Sequence, residues 1–309
     1  MILSPRALSS EGALFLFYIL FRLGRYNRVM RRHTSFVVSA FILFLFALYS
    51  NFHISRDVLT VAFLDVGQGD AIFIETPSGK QMLIDGGAGR AVLSELSGAM
   101  PFFDRSIDVV ISTHPDKDHI GGLPDVFESY KVALVIDPNV PDEKAVYAEY
   151  EKDITREAAR HVVARRGQTI TFGDGVTLEI LFPDRDVSQV KDPNDASIVA
   201  RLVYGETEVM LTGDSPESVE RYLVSLGAEN LKSDILKAGH HGSRTSTSKE
   251  FVAAVDPTYT IISAGKDNSY GHPHKEVIET LTLASTTILA TYNEGTIIFE
   301  SDGILWKRL

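Results

Sequence analysis

The sequence predicts an α/β domain of two packed sheets covered by helices, entered through an apolar N-terminal segment. Three observations carry this. From Val58 onward, strand-like apolar runs alternate with helix-like ones. The first three strands follow each other with only Gly/Pro/Asp punctuation between them, a meander with which a simple parallel sheet does not begin. A composition of 44% hydrophobic and 23% charged residues supplies a substantial core rather than a disordered tail.

The N-terminal element comes first. Residues 36–49 carry no charge and, with Thr34, Ser35 and residues 50–54, approach the ~20 residues of a spanning helix. Arg22, Arg25, Arg28, Arg31 and Arg32 precede it and belong on the cytoplasmic side, which puts residues 57–309 outside the cytoplasm. The earlier patch over 13–21 is too short to span and reads as an interfacial helix. A cleaved leader and a buried core helix are the alternatives. Residues 48–52 (Leu-Tyr-Ser-Asn-Phe) offer no small-residue cleavage pattern, which favours an uncleaved single-pass anchor within 1–56 and a membrane location.

Strands are then expected over 58–66, 71–76 and 81–84, separated by Gly67-Gln-Gly-Asp70 and Pro77-Ser-Gly79. A helix over 92–96, a strand over 107–112, a helix over 123–130 and a strand over 132–136 follow. Residues 143–164 read as one long charged helix, with Asp153, Arg156, Glu157 and Arg160 pairing along an exposed face. Strands resume over 168–172, 176–182, 198–204 and 208–211. The last third alternates helix (216–226), strand (235–237), helix (249–255), strand (260–263) and helix (275–283), closing with strands over 287–292 and 296–300.

Chemistry concentrates where strands end. His114-Pro-Asp116-Lys-Asp118-His119-Ile-Gly-Gly122 places four metal-capable side chains within six residues, straight after a strand. His114 and Asp116 can serve one cation while Asp118 and His119 serve a second. Asp85, Gly213-Asp214, His240-His241 and Gly271-His272-Pro-His274 end or follow other strands. Six of the nine histidines fall in three loops, whereas His161 reads as an ordinary hydrogen-bonded histidine of the charged helix. The chain has no cysteine, so thiolate zinc sites and disulfides are excluded and any metal is held by His, Asp or Glu. Residues 1–56 carry seven arginines and one acid, leaving 23 basic and 40 acidic residues, a balance of −17, for 57–309. Such a domain exerts no general pull on polyanions, and nucleic acid would have to be attracted locally.

These motifs resemble the metallo-β-lactamase superfamily. Asp65-Val-Gly-Gln-Gly-Asp70, the His114–Gly122 segment, His240-His-Gly-Ser243 and Gly271-His-Pro-His274 are similar, more narrowly, to the hydrolase domain of ComEC-type DNA-uptake proteins, over about residues 58–309. The resemblance implies a four-layer αββα sandwich with a two-metal site at one sheet edge. Two departures from the broad superfamily stand out. Asp116 replaces the second histidine of the usual His-x-His-x-Asp-His motif. Asn194-Asp-Ala-Ser197 stands where the third-motif histidine is expected. The resemblance assigns His114, Asp116 and His241 to one metal, and Asp118, His119 and His272 to the other, bridged by Asp214. His240 is the alternative to His241, and His274 to His272.

The catalytic set is read as Asp118, His240, His274 and Asp85. Asp85 orients a ligating histidine through its free N–H. His240 and His274 protonate the leaving alkoxide or hold substrate. Asp116 hardens the donor set, favouring Mn²⁺ alongside Zn²⁺. Ser243 and Arg244 read either as a phosphate grip or as part of a Ser/Thr loop capping the next helix. The leading expectation is a membrane-anchored phosphodiesterase with two divalent ions, a nuclease linked to DNA uptake whose pore comes from a membrane channel partner or from the rest of a longer system. A small-phosphoester hydrolase of phosphorylcholine-esterase type and a non-catalytic anchored binding module are the alternatives.

Overall fold

The computed structural model describes residues 35–44 and 58–309, apart from residue 102. The chain divides between Ser55 and Arg56 into two units. In the first, residues 35–44 are helical. The remainder of the expected anchor, the arginine run and the 13–21 patch lie outside the described residues. Among the described residues no helix is long and apolar enough to cross a membrane.

In the second unit the strands are, in chain order, β1 (Leu59–Phe63), β2 (Ile72–Glu75), β3 (Gln81–Ile84), β4 (Ser106–Ile111), β5 (Lys131–Asp137), β6 (Arg160–Val163), β7 (Thr169–Thr171), β8 (Val176–Phe182), β9 (Val199–Tyr204), β10 (Thr207–Leu211), β11 (Ile235–Lys237), β12 (Tyr259–Ile262), β13 (Thr287–Ala290), β14 (Ile297–Ser301) and β15 (Trp306–Arg308). They form an eight-stranded sheet, ordered β15-β14-β1-β2-β3-β4-β5-β6, and a seven-stranded sheet, ordered β13-β12-β11-β10-β9-β8-β7. Alternation along each strand decides which layer a side chain enters. Leu59, Val61 and Phe63 of β1 join Leu178, Ile180, Leu202 and Val209 between the sheets. Ala62 faces the other way, into a core completed by Leu96, Val126, Tyr150 and Ile154 from helices on the first sheet. Met210, Leu236 and Ile262 pack likewise under Leu223, Phe251, Val255 and Leu281 on the second. The result is the expected order of layers, helix, sheet, sheet, helix.

The charged stretch over 143–164 departs from expectation. Its helix covers only Ala145–Glu157 and stops at Ala158, which is left-handed (φ 52°). The chain then reverses into β6, which pairs parallel to β5. β-Branched Val162 and Val163 favour an edge strand over another helical turn. Asp153 is buried and pairs with Arg156 at 3.1 Å, while Glu157 accepts the Val132 N–H at 3.2 Å. His161 therefore sits on a strand, where its Nε2 lies 2.8 Å from Asp137 Oδ2.

Candidate metal centre

Parallel pairing of β3 with β4, and of β10, β11 and β12, aligns their carboxyl ends, and the loops leaving those ends carry the polar motifs. Gly69 (φ +132°) adopts a conformation favourable only to glycine, and a Cβ there would overlap the Asp118 carbonyl. That approach lets the Asp70 N–H donate to the Asp118 carbonyl at 3.1 Å, joining the first hairpin to the His114–His119 loop. His240 (φ 49°) and His241 (φ 55°) are both left-handed, at roughly 1–3 kcal/mol each for non-glycine residues. A His240 N–H bond to the Gly213 carbonyl (3.2 Å) and a Gly239 N–H bond to Thr247 Oγ1 (3.0 Å) hold that turn.

Asp214 Oδ2 is the hub. It lies 3.3 Å from His119 Nε2, 3.4 Å from His241 Nε2, 3.7 Å from His240 Nε2 and 4.0 Å from His114 Nε2. Asp116 Oδ2 stands 3.6 Å from His114 Nε2, and Asp118 Oδ2 3.3 Å from His241 Nε2. Three of the rings are pinned from behind. His119 Nδ1 lies 2.8 Å from Asp85 Oδ2, and His241 Nδ1 lies 2.9 Å from the Ser263 carbonyl, so each donates its N–H there. Thr113 Oγ1 donates to Asp85 (2.7 Å) and so accepts from His114 Nδ1 at 3.1 Å. Ser197 Oγ lies 3.2 Å from the same nitrogen and accepts the Asp214 N–H at 3.2 Å. These bonds set the tautomers, so that each ring, when neutral, presents its Nε2 lone pair inward. All three Nε2 atoms are buried without a hydrogen-bond partner. Buried ring nitrogens converging on carboxylates fit a divalent cation, since polar groups are seldom left orphaned without one.

The electrostatics agree. Burial pushes the Asp214 carboxyl up, but His241 and His119 outweigh it and hold it well below the usual carboxylate range. Burial depresses His119 and His241 in turn, yet Asp214, with Asp85 behind one and Asp70 behind the other, raises both well above an ordinary histidine. A cation at this position competes with those protons. Burial and the neighbouring His119 lower His114 to about 4, keeping it neutral as a ligand requires.

Several residues lie elsewhere than the sequence suggests. His241 does not accompany His114 and Asp116: its ring nitrogen faces Asp118 because the left-handed turn swings it to that side. His272 brings no ring nitrogen within 4.0 Å of a carboxylate among the described residues. It lines the cavity wall, stacked on Tyr270 with ring centroids 5.6 Å apart and 6.3 Å from the His241 ring, and its Nδ1, like the three Nε2 atoms, is buried without a hydrogen-bond partner. His274 Nδ1 accepts the Arg244 N–H at 3.2 Å. Neither Ser243, whose Oγ bonds Thr245, nor exposed Arg244 lines the cavity. Their loop instead caps a helix, with Ser248 Oγ accepting the Phe251 N–H at 3.4 Å. Asp85 accepts from Thr113 and braces His119.

Sequence reasoning assigns no role to Asp70 or Lys237, yet both are buried beneath the centre. Asp70 lies with His119, Asp214 and His241 in one group of ligand atoms within 4.8 Å of each other. Its oxygens, however, face the Nδ1 sides of His241 (3.3 Å) and His119 (4.0 Å) and pair with Lys237 Nζ, so it braces the ligands from behind. Burial raises the Asp70 carboxyl, but Lys237 and His241 hold it below its ordinary value. A lysine closing the apolar strand β11 is the signal that points here. In front of Asp214 opens a cavity of about 270 Å³ lined by Gln68, Asp116, Lys117, Asp118, Lys144, His240, Tyr270 and His272 among others. Lys144 pairs with Asp116 at 2.7 Å and Asp142 at 3.0 Å.

A family profile described as the metallo-beta-lactamase superfamily matches residues 64–266. The chain belongs to that superfamily. As a metallo-beta-lactamase superfamily member it is 32% identical to the ComE operon protein 3 of Bacillus subtilis (strain 168), over 77% of this chain and 32% of that protein. It is also 32% identical to the competence protein ComA of Neisseria gonorrhoeae, over 76% of this chain and 31% of that protein. The chain thus spans about a third of the length of the curated relatives it matches. The crystal structure of YhfI, a metallo-beta-lactamase fold protein from Bacillus subtilis, shares the fold, with a TM-score of 0.54 at 15% identity over 79% of this chain and 100% of that one. Family and candidate site together give a metal-dependent hydrolase with competence-protein relatives.

Proposed function

We propose that this chain is a two-metal phosphodiesterase acting on DNA, attached to the membrane through residues 36–54 with residues 57–309 outside the cytoplasm. The observation that carries the chemistry is the convergence of three braced imidazoles on Asp214 Oδ2, flanked by Asp116 and Asp118. His114 and Asp116 would hold one ion and Asp118, His119 and His241 the other, with Asp214 shared. When bound, a divalent pair supplies an acidified water and positive charge for a phosphoryl oxygen. Three carboxylates among six ligands make the donor set hard enough for Mn²⁺ as well as Zn²⁺. His240, at the cavity and hydrogen-bonded through Nδ1 to Thr245 Oγ1 (3.1 Å), is placed to move a proton at the leaving oxygen. Lys117 brings local positive charge to an otherwise acidic domain, which a phosphate backbone requires, while Lys144 beside it is paired with Asp116 and Asp142.

DNA as substrate is supported by the competence names of the relatives. Incubating the purified chain with Mn²⁺ and end-labelled DNA tests the reading. Cleavage should vanish in Asp214→Asn and His119→Ala; cleavage that persists in either sinks it. Faster turnover of p-nitrophenyl phosphorylcholine than of DNA would reassign the site to small phosphoesters.

A further inference from the structure

The cavity has a second wall outside the proposed ligand set. Tyr270 lines it with 64% of its surface open to solvent. Its ring lies nearly parallel to His272, at 22° and 5.6 Å between centroids, an offset stack. This loop is held firmly. Asn268 Oδ1 accepts the Tyr270 N–H (3.2 Å) and the His272 N–H (3.0 Å), while Asn268 Nδ2 donates to the Gly265 (2.8 Å) and His272 (2.6 Å) carbonyls. One side chain thereby fixes the backbone on both sides of Gly271 (φ +75°), so the exposed ring is preorganised.

Gln68 supplies an independent observation on the same cavity. Its Oε1 accepts the Gly265 N–H at 3.1 Å, which settles the amide orientation and leaves Nε2 as the unpaired donor. That Nε2 is buried without a partner on a residue lining the cavity. An orphaned amide donor and an open aromatic face on residues of one cavity suit a flat, acceptor-rich group. At about 270 Å³, the cavity falls below the roughly 300–1,000 Å³ of drug-sized ligand pockets, room for one nucleotide but not for a duplex.

The geometry points to a nucleobase subsite: Tyr270, backed by His272 and fixed by Asn268, stacks one unpaired base next to the scissile phosphate, and Gln68 Nε2 donates to an acceptor on that nucleotide. The subsite rests on the phosphodiesterase reading and narrows its substrate to strands or ends with an unpaired base, because a base has a free face only when it leaves its own stack. Stacking tolerates every base, so the subsite selects strandedness rather than sequence.

The test is fluorescence anisotropy of the full purified chain, in chelator, with a labelled single-stranded 12-mer and with the same strand built from abasic residues. Wild type should bind the base-bearing strand about tenfold more tightly, equivalent to about 1.4 kcal/mol. Tyr270→Ala should remove that preference and leave abasic binding unchanged, whereas Tyr270→Phe and Tyr270→Trp should keep it. Equal weakening of both strands by Tyr270→Ala, or no base preference in wild type, overturns the subsite. Cleavage with Mn²⁺ is read separately. A base preference without any cleavage leaves the subsite standing and removes the phosphodiesterase reading, and cleavage indifferent to bases does the reverse.

Discussion

Replacing Lys237 by methionine removes the buried cation beneath the metal centre. Lys237 is wholly buried at the end of β11, where Nζ pairs with Asp70, lies 3.7 Å from Asp214 Oδ1 and donates to the Gly213 carbonyl at 3.2 Å. Methionine keeps the apolar stem but removes the main positive partner of the Asp70 carboxylate, which is itself only 2% exposed and keeps only the His241 and His119 rings. Removing one partner of a buried ion pair costs about 3–5 kcal/mol, a large share of the roughly 5–15 kcal/mol that holds a domain together. For a unit of this size about 2–4 °C of Tm accompanies each kcal/mol, so the melt should fall by roughly 6–20 °C. Lys237→Met/Asp70→Asn should recover most of that loss, because a neutral pair carries no uncompensated charge. Thermal and urea unfolding of the wild type, both single variants and the double, in chelator, closes the cycle. A Lys237→Met melt within about 2 °C of wild type, less than ~1 kcal/mol, would falsify the assignment of this lysine as the counter-charge. Strictly additive losses in the double variant would do the same.

Asp85→Asn should weaken metal binding about 10–100-fold in a chelator competition titration, since Asp85 fixes the His119 ring through Nδ1; unchanged affinity would mean that this brace does not tune the ligand. Restoring Mn²⁺ to the stripped chain should raise stability by about 2.7 kcal/mol at a hundredfold excess over Kd, and Asp214→Asn should erase the gain. Equal stabilisation of wild type and Asp214→Asn places the metal elsewhere. The His161–Asp137 pair predicts a pH effect outside the metal centre. The hydrogen bond to Asp137 raises His161 above its ordinary value of 6.5, burial opposing it. Its contribution is therefore full below pH 6.5 and lost as pH rises through the folded value. The pair is partly exposed, so the difference between wild type and His161→Asn should stay under about 1 kcal/mol and shrink above neutrality; a difference that grows with pH contradicts the pairing.

The strands are largely legible because most are buried on both faces and read as apolar runs. β6 is not legible from sequence: Arg160 and His161 are solvent-facing edge residues beside a charged helix, and the two segments share one polar composition. The site is legible to the extent that its ligands are contiguous, as in the His114–His119 loop. Which later histidine faces which carboxylate is not, because the left-handed backbone at His240 and His241 directs those rings and no spacing rule encodes it. Ser197 illustrates the same limit: it stands where the third-motif histidine is expected and supports His114 and the Asp214 backbone through its hydroxyl. Asp70 and Lys237 are only hinted at, by a lysine closing an apolar strand, since the tertiary fold alone reveals that this lysine is fully enclosed.

Metal counting coupled to cleavage tests the central claim most directly. The purified chain, dialysed against Mn²⁺ or Zn²⁺ and analysed for metal and for cleavage of labelled DNA, should hold two equivalents and cut DNA in proportion to its loading. Asp214→Asn should hold less metal and cut nothing. Absence of stoichiometric metal in the wild type, or DNA cleavage undiminished by chelator, would contradict a dinuclear phosphodiesterase built around Asp214.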